Sequence, residues 1–471
     1  MFGGEGMNET LYSIADSWTR TESPLFPGGE LKSWLRERNE NLVVDIEKNR
    51  LSDSGDWFYD PRTGTIHNRN NSFFSVSGFR KTMPDGSVVC QPILLQPEIG
   101  FLGIICREFQ GVMHFLMHAK CEPGNVNQIQ LSPTIQATKS NFTQKHGGAK
   151  PPYLHYFQHA SDYEIVVDQL QSEQSSRFYK KRNRNILIRV EEEIPVLPSH
   201  HWMTLGQIKD LMREDNLVNM DTRTVLSCIP FGALRMTPEQ EGALSQRFTD
   251  RALFASLFHE EEPAAPSALW HSINDQKMAE DEQPELLPLE ALPGWDMTDE
   301  TISCREPYPF RVVFCSISME GREVRHWTQP LFEAMGVATF GLICCEAQGR
   351  LEFLVKLIPE PGCFDTLELG PSFQREAIPI GGSVREDPVT EFFLSRLASG
   401  EGILFDHLLS EEGGRFYHEQ NRNVLLRVGA QDLPKLPEGY FLMDYQTLSG
   451  LNQFNNILNI QLRNLLSLLE A

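Results

Sequence analysis

Apolar residues recur along this chain at two spacings. The stretches SFFSVSGFR (72–80), VVCQPILLQ (88–96), FLGIICREF (101–109), VMHFLMHAK (112–120) and NILIRV (185–190) are short, rich in apolar and β-branched residues, and punctuated by Gly or Pro, which predicts strands. Side chains alternate between the faces of a strand. In VMHFLMHAK, Met113, Phe115, Met117 and Ala119 therefore make an apolar face, and His114, Leu116, His118 and Lys120 make the other. The spacing turns helical near 204–229 and again at 451–469, where Leu451, Phe454, Ile457, Leu458 and Leu465 follow a near-helical period. Strands closed by helical segments predict an α+β fold with mainly antiparallel sheets and flanking helices.

The pattern is written twice. Shifted by 238 positions, residues 91–136 match 329–374 at 16 of 46 positions, against roughly three by chance. The same shift matches RFYKKRNRNILIRV (177–190) to RFYHEQNRNVLLRV (415–428) at 9 of 14 positions, and a shift of 240 aligns 216–229 with 456–469. A period this long predicts two tandem modules, 1–255 and 256–471, and not a solenoid. The acidic, Pro-rich span of about 256–295 reads as the linker. Within it ALWHSINDQKM (268–278) predicts a short helix equivalent to LKSWLRERNE (31–40).

Composition narrows the classes. Of 471 residues, 40% are hydrophobic and 23% charged, as in a folded soluble protein, and no apolar run approaches the roughly 20 residues of a membrane span. Nine cysteines without a CxxC pair, and no leader-like N-terminus, predict reduced thiols in the cytoplasm. A net charge of −22 argues against general nucleic-acid binding but leaves room for one small anion at a local basic cluster. There is no Gly-x-Gly-x-x-Gly after a strand, no P-loop, no HExxH and no Gly-x-Ser-x-Gly, and the adjacent His200 and His201 lack nearby carboxylates, so neither a nicotinamide fold nor a metal is expected.

The second copy serves as an internal control. His118 and Lys120 face Lys356 and Ile358 in copy two, so the first copy alone carries this cationic pair, just ahead of the polar loop EPGNVNQIQLSPTIQATKSN (122–141). Copy two keeps the Glu-Pro-Gly turn, Pro371 and Gln374, and loses the counterparts of Asn125, Gln130, Ser132, Thr138, Ser140 and Asn141. The kept residues fit a turn and its bracing. The lost ones fit recognition of something rich in hydroxyls, although such side chains also satisfy their own backbone. RFYKKRNRN (177–185) is the densest basic cluster, and Arg177 and Arg184 are the expected diphosphate ligands because their counterparts Arg415 and Arg422 persist.

FFSVSGF (73–79), QPILLQPEIG (91–100), FLMHAKCEPGN (115–125), QLSPTIQATKSNFTQKHGG (130–148) and RFYKKRNRN together resemble the NDP-hexose 2,3-dehydratases of deoxysugar biosynthesis, over nearly the whole chain and including the duplication. The resemblance implies a Nudix-like fold in each module and a homodimer. It also implies a dTDP-linked 4-keto-6-deoxyhexose as substrate and loss of water across C2 and C3. A downstream 3-ketoreductase would receive the labile diketo product. No nucleotide hydrolysis is expected, since the Arg-Glu-x-x-Glu-Glu string of a Nudix box is absent. Under this resemblance His118, Lys120, Glu122 and His146 are the acid and base candidates. Asn125, Gln130, Ser132, Thr134, Gln136, Thr138, Ser140 and Asn141 would hold sugar hydroxyls or phosphate oxygens. Arg177 and Arg184 would hold the diphosphate, and Trp57, Tyr153 or Tyr179 would stack on thymine. A nucleotide-sugar binder without chemistry, or an epimerase using the same α-proton abstraction, are the alternatives.

Overall fold

The computed structural model describes residues 5–26, 30–143, 150–261, 265–280, 283–320, 324–380 and 386–471. The alternating stretches form strands where the pattern predicts them, with Phe101–Phe109 and Val112–Cys121 as an antiparallel pair. Five strands run in the order Glu164–Ser172, Arg182–Arg189, Phe101–Phe109, Val112–Cys121, His200–Met203, and Ile129–Ser132 and Ile135–Ala137 complete a seven-stranded sheet. The second repeat reproduces it strand for strand, from Ile403–Ser410 through Gln420–Gly429, Thr339–Ala347 and Arg350–Ile358 to Tyr440–Asp444. Each sheet is mixed, because Arg182–Arg189 and Gln420–Gly429 run parallel to their central neighbours. Both faces of Val112–Cys121 are covered. Phe115 and Met117 enter one cluster and Leu116 another, so the strand is not half-exposed as simple alternation suggests.

The helical pattern of 204–229 breaks into two helices, Leu205–Leu211 and Met220–Ser227. Between them Asn216 adopts φ 58°, a left-handed conformation that an Asn side chain tolerates and that a continuous helix forbids. Asn456 repeats this at φ 59°. Each new helix is capped afresh, by Thr204 with Gln207 in a capping box and by Asn219, whose side chain accepts from Thr222 N.

The two repeats are interlocked, not strung side by side. Each repeat also has a smaller sheet, of five strands in the first and six in the second, and each takes in a strand from the other repeat. Val44–Asn49 pairs with Phe310–Met319, and Glu285–Leu287, inside the expected linker, pairs with Ser75–Thr82. That span also contains the helix Ser267–Met278. The Glu-Pro-Gly turns then dock on the opposite repeat. Gly124 N donates to Gly413 O (2.7 Å) and His418 N to Gly124 O (2.8 Å). Reciprocally, Gly362 N donates to Ser175 O (2.8 Å) and Lys180 N to Gly362 O (2.8 Å). The fully buried Arg223 and Arg463 donate across the same boundary, to Ser410 O and Ser172 O. The largest hydrophobic cluster runs continuously from Leu11 to Leu469 through both repeats. Among the described residues no helix is long and apolar enough to cross a membrane.

A Cβ on Gly124 would lie 1.5 Å from Phe416 O, and one on Gly362 2.0 Å from Phe178 O. These oxygens belong to backbone that is itself hydrogen-bonded, so neither side can yield cheaply. Gly124→Ala and Gly362→Ala should each lower stability by about 3 kcal/mol or more, read from urea midpoints. Gly242→Ala, in a helix with open space at the Cβ, should be neutral or stabilising by up to roughly 1 kcal/mol.

Candidate active site

The docking places residues of both repeats around one cavity of about 410 Å3, within the usual range for a small-molecule site of roughly 300 to 1,000 Å3. One wall is aromatic: Trp57, Phe73 and Phe74 from the first repeat, Trp327 from the second. Trp57 packs against Phe74 with centroids 4.6 Å apart, and the Arg415 guanidinium lies 4.4 Å over the Phe74 ring. The other wall is charged and deep. It is lined by Lys120, Glu122, Gln136, Thr138, Glu173, Lys181, Asn183 and Asp221 of the first repeat, and by Glu412 and Arg415 of the second.

Local structure sets this wall. Lys120 is near the end of the strand Val112–Cys121 and Glu122 follows it directly, and Lys120 Nζ donates to Glu122 Oε1 at 2.8 Å, both side chains buried. Gln136, on the short strand Ile135–Ala137, donates from one Nε2 to Glu122 (3.3 Å) and to Glu412 Oε1 (3.4 Å), which holds two carboxylates of different repeats side by side. Glu412 Oε1 also accepts from Gly414 N. Burial and the adjacent Glu122 carboxylate push Glu412 up to about 7. Burial lowers Lys181 to about 8, and its partner Glu173 is raised by the same cause.

Asp221 is displaced upward as well. It lies in the first turn of Met220–Ser227, where the helix favours a carboxylate by about 0.3 to 1 kcal/mol. Burying a charge without a partner costs several kcal/mol, so burial wins. Burial first, and then the charges of Glu173, Glu412 and Glu122, raise Asp221 well above the usual carboxylate range.

The equivalent place in the second repeat is closed. Glu360 accepts from Gln374, as Glu122 does from Gln136. The arginine that reaches in from the opposite repeat is Arg177, 1% exposed, clamped by both oxygens of Glu376 (2.9 and 3.1 Å) with Glu419 at 3.9 Å. At the positions of Glu376 and Glu419 the first repeat has Thr138 and Lys181. Arg415 consequently has no carboxylate within salt-bridge distance among the described residues, and its Nε has no hydrogen-bond partner there.

Of the side chains expected from sequence, Trp57, Lys120, Glu122, Gln136 and Thr138 line the cavity. His118 does not; its ring stacks on His200 at 4.2 Å. Arg177 sits in the closed second centre, and Arg184 forms a two-pronged pair with Asp168 (2.6 Å) that Arg422 repeats with Asp406. Both arginines expected at the diphosphate are thus held by carboxylates, and neither is among the residues lining the cavity. Tyr153 donates to Pro195 O and Tyr179 packs near Phe79, both away from the cavity. Asn125 braces its loop through Gln128 O, Gln130 contacts Asn127, Ser132 accepts from Asn219, and Ser140 donates to Glu98. Thr134 donates to Leu116 O, as Ser372 does to Leu354 O. His146 and the Asn141 side chain lie outside the described residues. Sequence reasoning missed Asp221, Glu412 and Arg415. The first two were detectable as differences between copies, Asp221 facing Gln461 and Glu412 facing Gln174.

A family model described as NDP-hexose 2,3-dehydratase matches residues 28–229 and again 267–469, and the chain belongs to that family. It is 38% identical over 470 residues to the dTDP-4-dehydro-6-deoxy-alpha-D-glucopyranose 2,3-dehydratase of Saccharopolyspora spinosa, covering 99% of this chain and 96% of the relative. It is 35% identical over 441 residues to the protein of the same description from Streptomyces violaceoruber, covering 92% and 95%, and 32% identical over 465 residues to that from Amycolatopsis orientalis, covering 97% and 93%.

The closed centre carries its own test. Glu368, fully buried, accepts from Ser172 and is raised to about 8 by burial. A carboxyl group with a raised folded-state pKa contributes stability that is complete below its unfolded value and is lost as pH rises through the folded one. The melting temperature should therefore fall between about pH 4.5 and pH 8. Glu368→Gln should flatten that slope in parallel melts.

Proposed function

We propose that the chain removes water across C2 and C3 of dTDP-4-keto-6-deoxyglucose, giving a dTDP-linked 3,4-diketo-2,6-dideoxyhexose. The carrying observation is the cavity, which joins an aromatic wall to a buried lysine and carboxylate cluster, whereas the equivalent arginine of the second centre is held by carboxylates. Thymine fits the Trp57, Phe74 and Trp327 wall. Arg415, which has no carboxylate within salt-bridge distance among the described residues, fits the diphosphate together with Lys181 and Thr138, since a guanidinium takes phosphate oxygens two at a time. The sugar then reaches Lys120, Glu122 and Gln136.

The C4 ketone acidifies the C3 hydrogen. The Glu122 carboxylate takes that proton, and the Lys120 ammonium, 2.8 Å from Glu122, sits beside the oxygen on which the enolate charge develops. The C2 oxygen leaves with a proton, and the enol becomes the 3-ketone. No net electron transfer occurs. The same reading carries a homodimer, a Nudix-like kinship for each mixed sheet, and a cytoplasmic setting suited to nine free thiols. It also carries a 3-ketoreductase that consumes the reactive diketone.

Incubation with dTDP-4-keto-6-deoxyglucose and a trapping reductase should give a product lighter by one water. Unchanged mass with an altered NMR spectrum, or recovered substrate, would sink the dehydratase reading. Lys120→Ala should fold, bind dTDP within a few fold, and lose turnover by about 100-fold or more. Arg415→Ala should weaken dTDP binding by about 10- to 100-fold in calorimetry, and Arg415→Lys should recover only part.

A further inference from the structure

The reaction proposed above needs a proton donor at C2, and the carboxyl group of Asp221 meets the requirements more fully than its neighbours. Asp221 is 1% exposed and lines the cavity, yet among the described residues neither of its oxygens has a hydrogen-bond partner. Every neighbouring carboxylate is already engaged: Glu122 by Lys120 and Gln136, Glu412 by Gly414 N, Glu173 by Asn183. A buried polar group left without a partner is rare and calls for an explanation, which a bound ligand would supply. The residue is also held rigidly. Asn219 caps its helix and donates to Ser132 Oγ at 2.8 Å, and Thr222 donates to Leu131 O at 2.9 Å, so the helix start is pinned to the sheet on either side of Asp221. The closed second centre has Gln461 here, a side chain that cannot act as an acid, while the capping Asn459 and the buried Arg463 are retained. The scaffold is thus common to both repeats and the carboxyl group belongs to the open one.

We propose that Asp221 is the acid that protonates the C2 oxygen as it departs. This rests on the dehydratase reading. Glu122 takes the C3 proton and the C–H pair forms the enolate. The enolate pair then makes the C2–C3 double bond as the C2–O bond breaks, and the oxygen leaves as water with the proton of Asp221. The resulting enol gives its O3 proton back to Asp221, and C2 receives the proton held on Glu122. Atoms and charges balance with water as the only by-product.

The test uses Asp221→Asn, which keeps the shape, and Asp221→Gln, which installs the residue of the second repeat. Each is compared with wild type in D2O on dTDP-4-keto-6-deoxyglucose and on its 2-deoxy-2-fluoro analogue, whose fluoride leaves without a proton. Melting curves and dTDP titration report folding and binding. The expected result is water loss reduced by about 100-fold or more. Deuterium should still enter C3 of recovered substrate, and fluoride release should stay within about tenfold of wild type. Retained water loss, or fluoride release reduced as much as water loss, overturns the assignment. A wild-type protein that binds both compounds and releases neither water nor fluoride overturns the dehydratase reading and this assignment with it.

Discussion

The structure depends on the close approach of each Glu-Pro-Gly turn to the backbone of the opposite repeat. Two hydrogen bonds at each turn, through Gly124 and Gly362, hold the Arg-Phe-Tyr loop of one repeat against the strand end of the other. The approach leaves no room for a side chain, which is why the turn must end in glycine in both copies. Strand exchange through Val44–Asn49 and Glu285–Leu287, and the buried Arg223 and Arg463, reinforce the same boundary. A shared core follows, because the smaller sheet of each repeat takes in a strand from the other.

This interlock delivers one arginine from each repeat into the polar centre of its partner. What happens next differs by two residues. Glu376 and Glu419 neutralise Arg177 and close the second centre, whereas Thr138 and Lys181 leave Arg415 unneutralised and the first centre open. Arg415, half-buried over the Phe74 ring and without a fixed carboxylate among the described residues, suits the phosphorylated ligand proposed for the open centre. The duplicated frame is therefore kept twice, with an ion-paired arginine at one centre and an arginine lacking a fixed carboxylate among the described residues at the other.

Burial then sets the chemistry. Glu122, Glu173, Asp221 and Glu412 share a space with Lys120, Lys181 and Arg415, and their mutual repulsion with loss of water drives Glu412 and Asp221 toward the neutral acid. A pair such as Lys120 and Glu122 beside neutral carboxyl groups offers basic and acidic groups in one cavity at one pH, the condition for removing a proton from one carbon and a hydroxide from the next.

Much of this was legible in the chain itself. Alternation placed the strands, the 238-residue shift exposed the duplication, and comparison of the copies pointed to Lys120 as peculiar to the first. The same comparison misdirected attention to Arg177, because persistence in both copies marks residues that brace the frame as well as residues that bind. Copy differences were the better guide, and extended to Asp221 against Gln461 and Glu412 against Gln174 they reach the deepest part of the site. Sequence periodicity determined the elements and their repetition, since side-chain alternation and helical spacing are local. Which strand crosses to which sheet, and which repeat's arginine enters which centre, was decided only in three dimensions, because those contacts join residues more than 200 positions apart that no local pattern connects.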